Sequence, residues 1–272
     1  MKFSISNQVF PNCSWAETVR AIAQAGYDGV EIAPFTLAES VQEIPPQRRV
    51  AIRKQAQEAG LDIVGLHWLF VSPKGLHTTT ADAATRRRTT AYMQSLIRFC
   101  GDLGGRVMVI GSPKQRDVRP GTSYAEAWQR FADMIAACLD LAAARGVTLC
   151  LEALPEDQTN FVTSLAEAVK MVEQVNHPHF QSMFDVHNAC FETIPLPDLV
   201  RRYLPFIRHV HVNEMDGRHP GCGAVDFGPI LGVLQEEGYT GYVSVEAFDA
   251  APDGQAIARE SIRHLKSALQ TE

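Results

Sequence analysis

The segment AAARGVTLCLEALP, residues 142–155, leads from a helical pattern into a short β-rich run through Gly146. Glycine after the last turn of a helix tolerates the left-handed backbone in which many helices end. The same order of helix, glycine and strand recurs in four further segments, at 23–35, 56–70, 101–113 and 234–248. The intervals are 34, 44 and 42 residues between the successive glycines Gly26, Gly60, Gly104 and Gly146. Such intervals are typical of repeated βα units.

Three more β-rich runs complete the pattern: KFSISNQVF near the N-terminus, FQSMFDVHNA at 180–189 and IRHVHVNE at 207–214. Most of the gaps between runs hold amphipathic helical patterns, such as residues 125–144. Eight alternating units in 272 residues predict a single-domain (β/α)8 TIM barrel over residues 1–272. The alternative is a doubly wound open sheet. That fold usually binds a nucleotide through a glycine-rich loop after its first strand, and no such loop follows KFSISNQVF.

Composition and charge limit the kinds of partner that we expect. The net charge of −6 gives no electrostatic reason for nucleic-acid binding, and no apolar run approaches the roughly 18 residues that span a membrane. The six cysteines are scattered without a C-x-x-C pair, a pattern typical of reduced thiols in the cytoplasm. The N-terminal segment lacks the charged and apolar regions of a signal peptide. We therefore expect a cytoplasmic protein that binds neither nucleic acid nor a membrane.

Polar side chains stand near the ends of four successive apolar strands, where the active sites of such barrels lie. They are Glu152, Asp185, His211 and Glu246. One acid at a strand end is more often a structural hydrogen-bond acceptor, but neighbouring strands about 4.8 Å apart can bring four such groups together. Three carboxylates in one place repel unless a cation or shared protons neutralise them. This oxygen-rich set with one imidazole predicts a site for one divalent cation: Mn²⁺, Mg²⁺ or Co²⁺, with Zn²⁺ as a further possibility.

The seventh strand carries two imidazoles, His209 and His211, on one face. They are separated along the strand by about 6.6 Å, which is one layer of barrel side chains. His211 lies nearer the C-terminal rim and is the predicted ligand, whereas His209 is predicted to be a hydrogen-bonded core residue. Asn213, one layer further out, is predicted to line the mouth of the pocket.

The stretches LCLEALPEDQTNF, MFDVHNA, HVHVNEMDGRHPGCGAVDFG and GYVSVEAFD resemble the xylose-isomerase-like TIM barrel superfamily. They are most similar to its sugar isomerase/epimerase branch, which includes D-tagatose 3-epimerase-like enzymes. The resemblance implies that Glu152, Asp185, His211 and Glu246 bind one divalent cation, often Mn²⁺. It also implies that Glu152 and Glu246 serve as acid and base, and that the protein forms a homo-dimer or homo-tetramer.

The resemblance further implies a set of substrate contacts, with two departures from the family pattern. Ketose 3-epimerases of this branch carry Glu where Gln158 stands and His where Asn188 stands, and here the nearby imidazole is His187. Both departures fall on substrate contacts, so they count against a free ketose as the substrate and leave the metal ligands unchanged. The residues assigned to substrate binding are Arg218, His67, Trp68, Gln158, Asn188 and His187.

Together these residues predict a metal-dependent sugar isomerase or epimerase. A carboxylate removes a proton from the carbon next to a carbonyl, and the metal stabilises the resulting enediolate. Glutamates on opposite faces would give epimerisation, whereas one glutamate that removes and returns the proton would give aldose–ketose isomerisation. The expected partner is a small carbohydrate, whether phosphorylated, glycosidic or free.

Three other functions share parts of this pattern. A hydro-lyase of the inosose-dehydratase type would begin with the same proton abstraction. An endonuclease at abasic DNA sites would need further His ligands, yet Gly111 and Ser112 follow strand 4 and the segment VDFG supplies none. An inactive sugar-binding barrel would have no reason to keep all four metal-site residues. The loop at 111–119 carries three basic residues, Lys114, Arg116 and Arg119. It could bind an anionic part of the substrate, or it could be a solvated basic loop.

Overall fold

Eight parallel strands close into one barrel in the order β1 to β8 in the computed structural model, which describes residues 1–270. The strands are β1 Lys2–Ser6, β2 Gly29–Ile32, β3 Asp62–Leu66, β4 Val107–Ile110, β5 Thr148–Leu151, β6 Phe180–Asp185, β7 Ile207–Val212 and β8 Tyr242–Val245. The barrel is closed by pairing of β8 with β1, in which Val243 lies opposite Phe3. The predicted (β/α)8 fold is therefore confirmed. The predicted domain also included Thr271 and Glu272, which lie outside the described residues.

An α-helix follows each strand. The helices are α1 Trp15–Ala25, α2 Pro46–Glu58, α3 Ala83–Leu103, α4 Tyr124–Arg145, α5 Leu165–Val175, α6 Leu196–Tyr203, α7 Gly228–Glu236 and α8 Gly254–Ala268. The end of α4 shows why the repeated glycine is needed, because Gly146 has a φ of 63° and its N–H donates to the carbonyls of Ala142 and Ala143. Across residues 1–270, no helix combines the length and apolar character needed to cross a membrane.

Successive side chains of β5 point alternately to the helices outside the barrel and into the barrel interior. Leu149 and Leu151 pack in the large core between the sheet and the helices, whereas Cys150 packs in a small separate cluster. Because strand side chains alternate, Cys150 and the following Glu152 both point into the barrel. The pairing of Asp185 with His211, and of His211 with Ser244, sets the ends of β6, β7 and β8 side by side.

Candidate metal centre

The four residues predicted as metal ligands meet at the C-terminal end of the barrel. Glu152 follows β5, Asp185 ends β6, His211 lies in β7 and Glu246 follows β8. One ligand atom from each lies within 4.8 Å of those of the others, and all four residues are buried. Charges buried in this way require a partner, and a divalent cation would neutralise the carboxylates.

The His211 ring presents one nitrogen to the carboxylates and the other to the barrel interior. Its Nδ1 lies 2.9 Å from Glu246 Oε2 and 3.6 Å from Asp185 Oδ2, yet it has no aligned hydrogen-bond partner among the described residues. Its Nε2 lies 3.0 Å from Glu31 Oε2. A buried imidazole nitrogen that faces carboxylates without a hydrogen bond fits a metal ligand, so Nδ1 is the atom that would bind the cation.

Glu31 is a part of the site that the sequence reasoning missed. Its fully buried Oε2 lies 3.0 Å from His211 Nε2 and 3.1 Å from His209 Nε2. His209 is thus a hydrogen-bonded core residue, as predicted. Burial opposes the charged form of Glu31, but the neighbouring His209 and His211 hold the pKa of this carboxyl well below its usual range. The available signal was an acid inside the apolar strand GVEI, at 29–32.

Hydrogen bonds fix the two carboxylates on the β5–β6 side of the site. Asp185 accepts from the Asn188 backbone N–H at 2.7 Å and from Asn213 Nδ2 at 3.1 Å. Glu152 accepts at Oε1 from Asn188 Nδ2 at 2.8 Å. Asn213 is fully buried, so it orients Asp185 and does not line the pocket mouth as predicted. Such outer partners orient ligands and tune a metal site.

On the other side, Glu246 is held by two residues that follow β3. Trp68 Nε1 donates to Glu246 Oε1 at 2.7 Å, and His67 Nδ1 lies 3.1 Å from the same oxygen. The opposite ring nitrogen of His67 lies 2.7 Å from Ser6 Oγ. Trp68 reaches this position with a φ of 53°, an uncommon conformation for a large side chain.

The two glutamates have opposite pKa shifts. Burial, together with the nearby charges of Asp185 and Glu246, raises the pKa of Glu152 well above its usual value. Burial also opposes the charged form of Glu246, but His211 and then His67 lower the pKa of this carboxyl overall. Two carboxyl groups with separated pKa values are typical of acid–base sites.

Gly111 makes room for the Glu152 carboxylate. A Cβ atom at this position would lie 1.6 Å from Glu152 Oε2, so no larger side chain fits without moving that group. The space beside Gly111 is therefore filled by Glu152 itself. The space, burial and donor set fit one divalent cation with oxygen ligands and one imidazole.

The structure brings most of the predicted substrate contacts to this centre. His67, Trp68, Gln158 and Asn188 line the cavity above the carboxylates. His187 lies just outside β6, with its Nδ1 2.8 Å from the Met215 carbonyl and its Nε2 3.3 Å from Gln158 Nε2. Arg218 does not reach this cavity, since its exposed guanidinium pairs with Asp216 at 2.8 Å.

The sequence left the loop after β4 either as an anion-binding segment or as a solvated basic segment, and the structure buries one of its three basic residues. Arg116 is fully buried, and its Nη1 donates to the carbonyl of Glu152 at 2.7 Å and to that of Ile110 at 3.3 Å. Burial lowers the pKa of Arg116 to about 10. Lys114 and Arg119 remain exposed. Arg116 thus ties β4 to the main chain of a predicted ligand, and the sequence around it gave no sign of this burial.

The chain is thus a closed barrel with a buried cluster of three carboxylates and one histidine at its C-terminal rim. Active sites lie at this rim in TIM-barrel enzymes, and the cluster could hold a metal ion. Residues 19–268 match the family described as xylose isomerase-like TIM barrel, and the chain belongs to this family. It is 23% identical over 275 residues to the 3-dehydro-D-guloside 4-epimerase of Escherichia coli strain K12, covering 98% of this chain and 100% of that protein. It is also 24% identical over 260 residues to an inosose dehydratase of Klebsiella pneumoniae subsp. pneumoniae, covering 86% of this chain and 82% of that protein.

A solved structure of L-ribulose 3-epimerase shares the fold. Its TM-score is 0.86 at 22% identity, over 99% of this chain and 95% of that one. The comparisons thus support an enzyme that acts on sugars, and they leave the particular substrate open.

Proposed function

We propose that this protein is a divalent-metal-dependent sugar epimerase or isomerase that transfers a proton at the carbon next to a carbonyl. The observation that carries the proposal is one buried cluster in which Glu152 and Glu246 have different partners and opposite pKa shifts. Relatives named as sugar epimerases support the same reaction class.

In this proposal each glutamate faces the substrate from a different side. β5 and β8 are three strands apart around the ring, so Glu152 and Glu246 can flank a planar intermediate. One carboxylate removes the proton and the other returns one to the opposite face, which inverts the carbon. Trp68 and His67 keep Glu246 in place, and Asn188 keeps Glu152 in place. A cation held by Glu152, Asp185, His211 and Glu246 would supply Lewis-acid polarisation of the carbonyl.

We further propose Mn²⁺ as the native cation, with Mg²⁺, Co²⁺ and Zn²⁺ as alternatives, because three carboxylates and one imidazole make an oxygen-rich set. The substrate is a small carbohydrate contacted by Gln158, Asn188 and His187. All six cysteines are free thiols, which supports the cytoplasmic location expected from the sequence. Assembly into a homo-dimer or homo-tetramer remains a prediction.

The proposal is tested by incubating the Mn²⁺-loaded protein with ketoses and keto-glycosides in D₂O and following the products by NMR. We expect an epimer or isomer that carries deuterium at the carbon next to the carbonyl, and no conversion after chelation with EDTA. Absence of deuterium from every candidate sugar would contradict the proposal.

A second candidate is a hydro-lyase, and the similarity to an inosose dehydratase favours it. The first step would again be proton removal next to a carbonyl, followed by loss of hydroxide from the neighbouring carbon. The same NMR experiment separates the two functions when inosose is included, because elimination gives a dehydrated product and epimerisation leaves the composition unchanged.

A further inference from the structure

A cleft of about 410 Å³ lies on the outside of the barrel, between α3 and α4. All of its lining belongs to these two helices, and none of it is shared with the cavity at the carboxylates. We call this space the α3–α4 cleft. Its polar lining consists of Arg86, Arg87, Thr90, Gln94, Arg130 and Asp133. Three arginines beside a single acid give the cleft a positive charge, which favours an anion as its ligand.

The charge of the chain is unevenly distributed, and the α3–α4 cleft lies in its positive part. Residues 46–145, which include α2, α3 and α4, contain 15 of the 25 Lys and Arg residues but only 8 of the 31 Asp and Glu residues. This part of the chain is therefore positively charged, although the net charge of the whole chain is −6. A local excess of one charge attracts small ions of the opposite charge and increases the rate at which they bind.

Two of the arginines are held in place by main-chain carbonyls of the loop before α3. Arg86 Nη1 donates to the carbonyl of Thr80 at 2.7 Å and to that of Ala81 at 2.8 Å. Arg130 Nη1 donates to the carbonyl of Thr79 at 3.2 Å. Neutral acceptors fix a guanidinium group without neutralising its charge. Because the side chains are already ordered, less conformational entropy is lost when an anion binds.

Little of this positive charge is neutralised by the protein. Within residues 1–270, neither Arg86 nor Arg87 forms an ion pair with a carboxylate. Arg130 is only loosely paired, with its Nη2 3.4 Å from Glu126 Oε1. The acid of the cleft, Asp133, accepts from Gln129 Nε2 at 2.8 Å. Guanidinium N–H groups of Arg86 and Arg87 therefore remain available to a ligand.

We propose that the α3–α4 cleft binds the phosphate group of a small phosphorylated metabolite, at a site separate from the carboxylate cluster. Arg86 and Arg87 would contact the phosphate oxygens, for which the N–H groups of arginine are suited donors. Thr90, Gln94 and Asp133 would bind hydroxyl groups of the same ligand. The volume of the cleft suits a molecule of the size of a sugar phosphate or a nucleoside monophosphate. The proposed reaction at Glu152 and Glu246 is not needed for this site.

Isothermal titration calorimetry of the whole Mn²⁺-loaded chain tests the site with two pairs of probes, glucose 6-phosphate against glucose and adenosine 5′-monophosphate against adenosine. We expect at least one phosphate ester to bind about tenfold more tightly than its unphosphorylated partner, because charge-assisted hydrogen bonds to phosphate are strong. The ester that binds more tightly shows whether the ligand is a sugar phosphate or a nucleotide. Hydrogen exchange measured with this ester should be slowed in the part of α3 that lines the cleft.

The variant Arg87→Gln distinguishes the cleft from the metal centre, which could also attract phosphate. We expect it to weaken binding of the ester by about tenfold, since one charged donor is lost. Arg98→Gln is the matched control, because it removes the same charge from an exposed position of α3 outside the cleft. Neither side chain has a hydrogen-bond partner within residues 1–270, so both variants should fold. Absence of binding by both esters, equal affinity in Arg87→Gln and the unmodified protein, or equal weakening in the two variants would overturn the assignment.

Discussion

At the scale of single residues, His211 organises the site because its two ring nitrogens meet different carboxylates. Nδ1 faces Glu246 and Asp185, whereas Nε2 faces Glu31 from below. A carboxylate on the far nitrogen of a metal-binding imidazole fixes its tautomer and raises its basicity. Glu31 is therefore expected to act on the cation through His211, without contacting the substrate.

The variant Glu31→Gln tests this role. An amide fills the same space but no longer supplies a negative charge to His211, so we expect Mn²⁺ to bind about 10- to 100-fold more weakly. Isothermal titration calorimetry measures the change, and Glu58→Gln on the exposed face of α2 is the control. An affinity for Mn²⁺ equal to that of the unmodified protein would show that Glu31 does not position the ligand.

Gly111 gives a second prediction at this scale. In Gly111→Ala the added Cβ would lie 1.6 Å from Glu152 Oε2, so the carboxylate must move. We expect Mn²⁺ affinity to fall by at least about tenfold, since ligand geometry tolerates little displacement. Thermal unfolding would show whether the barrel is retained. Unchanged affinity in a folded variant would mean that Glu152 is not a ligand in its observed position.

The sequence predicted the four members of the buried cluster better than the groups that support them. Glu152, Asp185, His211 and Glu246 could be found because polar residues at the ends of apolar strands are conspicuous. Glu31 was overlooked because its partners are far away in the chain, with 178 residues separating it from His209. The position of Asn213 along the chain predicts that it lies one layer of side chains beyond His211. It does not predict that Asn213 donates to Asp185, because this contact depends on where β6 ends.

At the scale of elements, Arg116 connects the ends of β4 and β5. Its Nη1 donates to the carbonyls of Ile110 and Glu152, so one buried side chain holds two strand ends together. The loop composition, rich in Lys and Arg, was compatible with an anion site or with a solvated loop, and neither alternative included a buried Arg116. Burial is decided by how the loop folds back over the barrel rim, which composition does not encode.

We expect Arg116→Met to destabilise the protein by about 1–3 kcal/mol, because the buried Glu152 carbonyl loses its donor. Mn²⁺ affinity should also fall, since the main chain of Glu152 is no longer held. Arg119→Met removes the same charge from an exposed position in the same loop and is the control. Urea unfolding and calorimetry measure both effects, and identical behaviour of the two variants would refute this role for Arg116.

The repeat of helices and strands was predictable because each unit carries its own local signals. Ser123 and Glu126 form a capping box at the start of α4, and Gly146 ends that helix in a left-handed conformation. Periodicity and caps act within a few residues of the chain. The closure of β8 on β1 joins distant segments, and it was inferred from the count of eight units.

At the scale of the whole molecule, cation binding should be coupled to protons and to stability. Burial raises the pKa of Glu152. Burial opposes the charged form of His211, but Glu31 and Glu246 raise the pKa of His211 overall. Glu152 and His211 must both be deprotonated to bind a metal. Because the pKa of each is raised, protons still compete with Mn²⁺ at pH values above the ordinary pKa of a carboxyl or an imidazole group.

The expected result is that Mn²⁺ affinity rises with pH. A ligand that binds only the folded state stabilises it by about 2.7 kcal/mol at a concentration 100 times its Kd, so the increase in Tm caused by a fixed Mn²⁺ concentration should grow as the pH rises. Differential scanning fluorimetry between about pH 5.5 and 8.5 measures this. A Tm increase that is equal at all pH values, or larger in acid, would contradict the proton competition.

The central claim is that Glu152 and Glu246 move a proton next to a substrate carbonyl, and the rate of deuterium entry from D₂O tests it most directly. NMR would follow the active keto-sugar at saturating Mn²⁺ with Glu152→Gln and Glu246→Gln, and with exposed Glu39→Gln as the control. We predict that each site variant exchanges at least about 100-fold more slowly, while the control matches the unmodified protein. Exchange at the unmodified rate in both site variants would contradict the account.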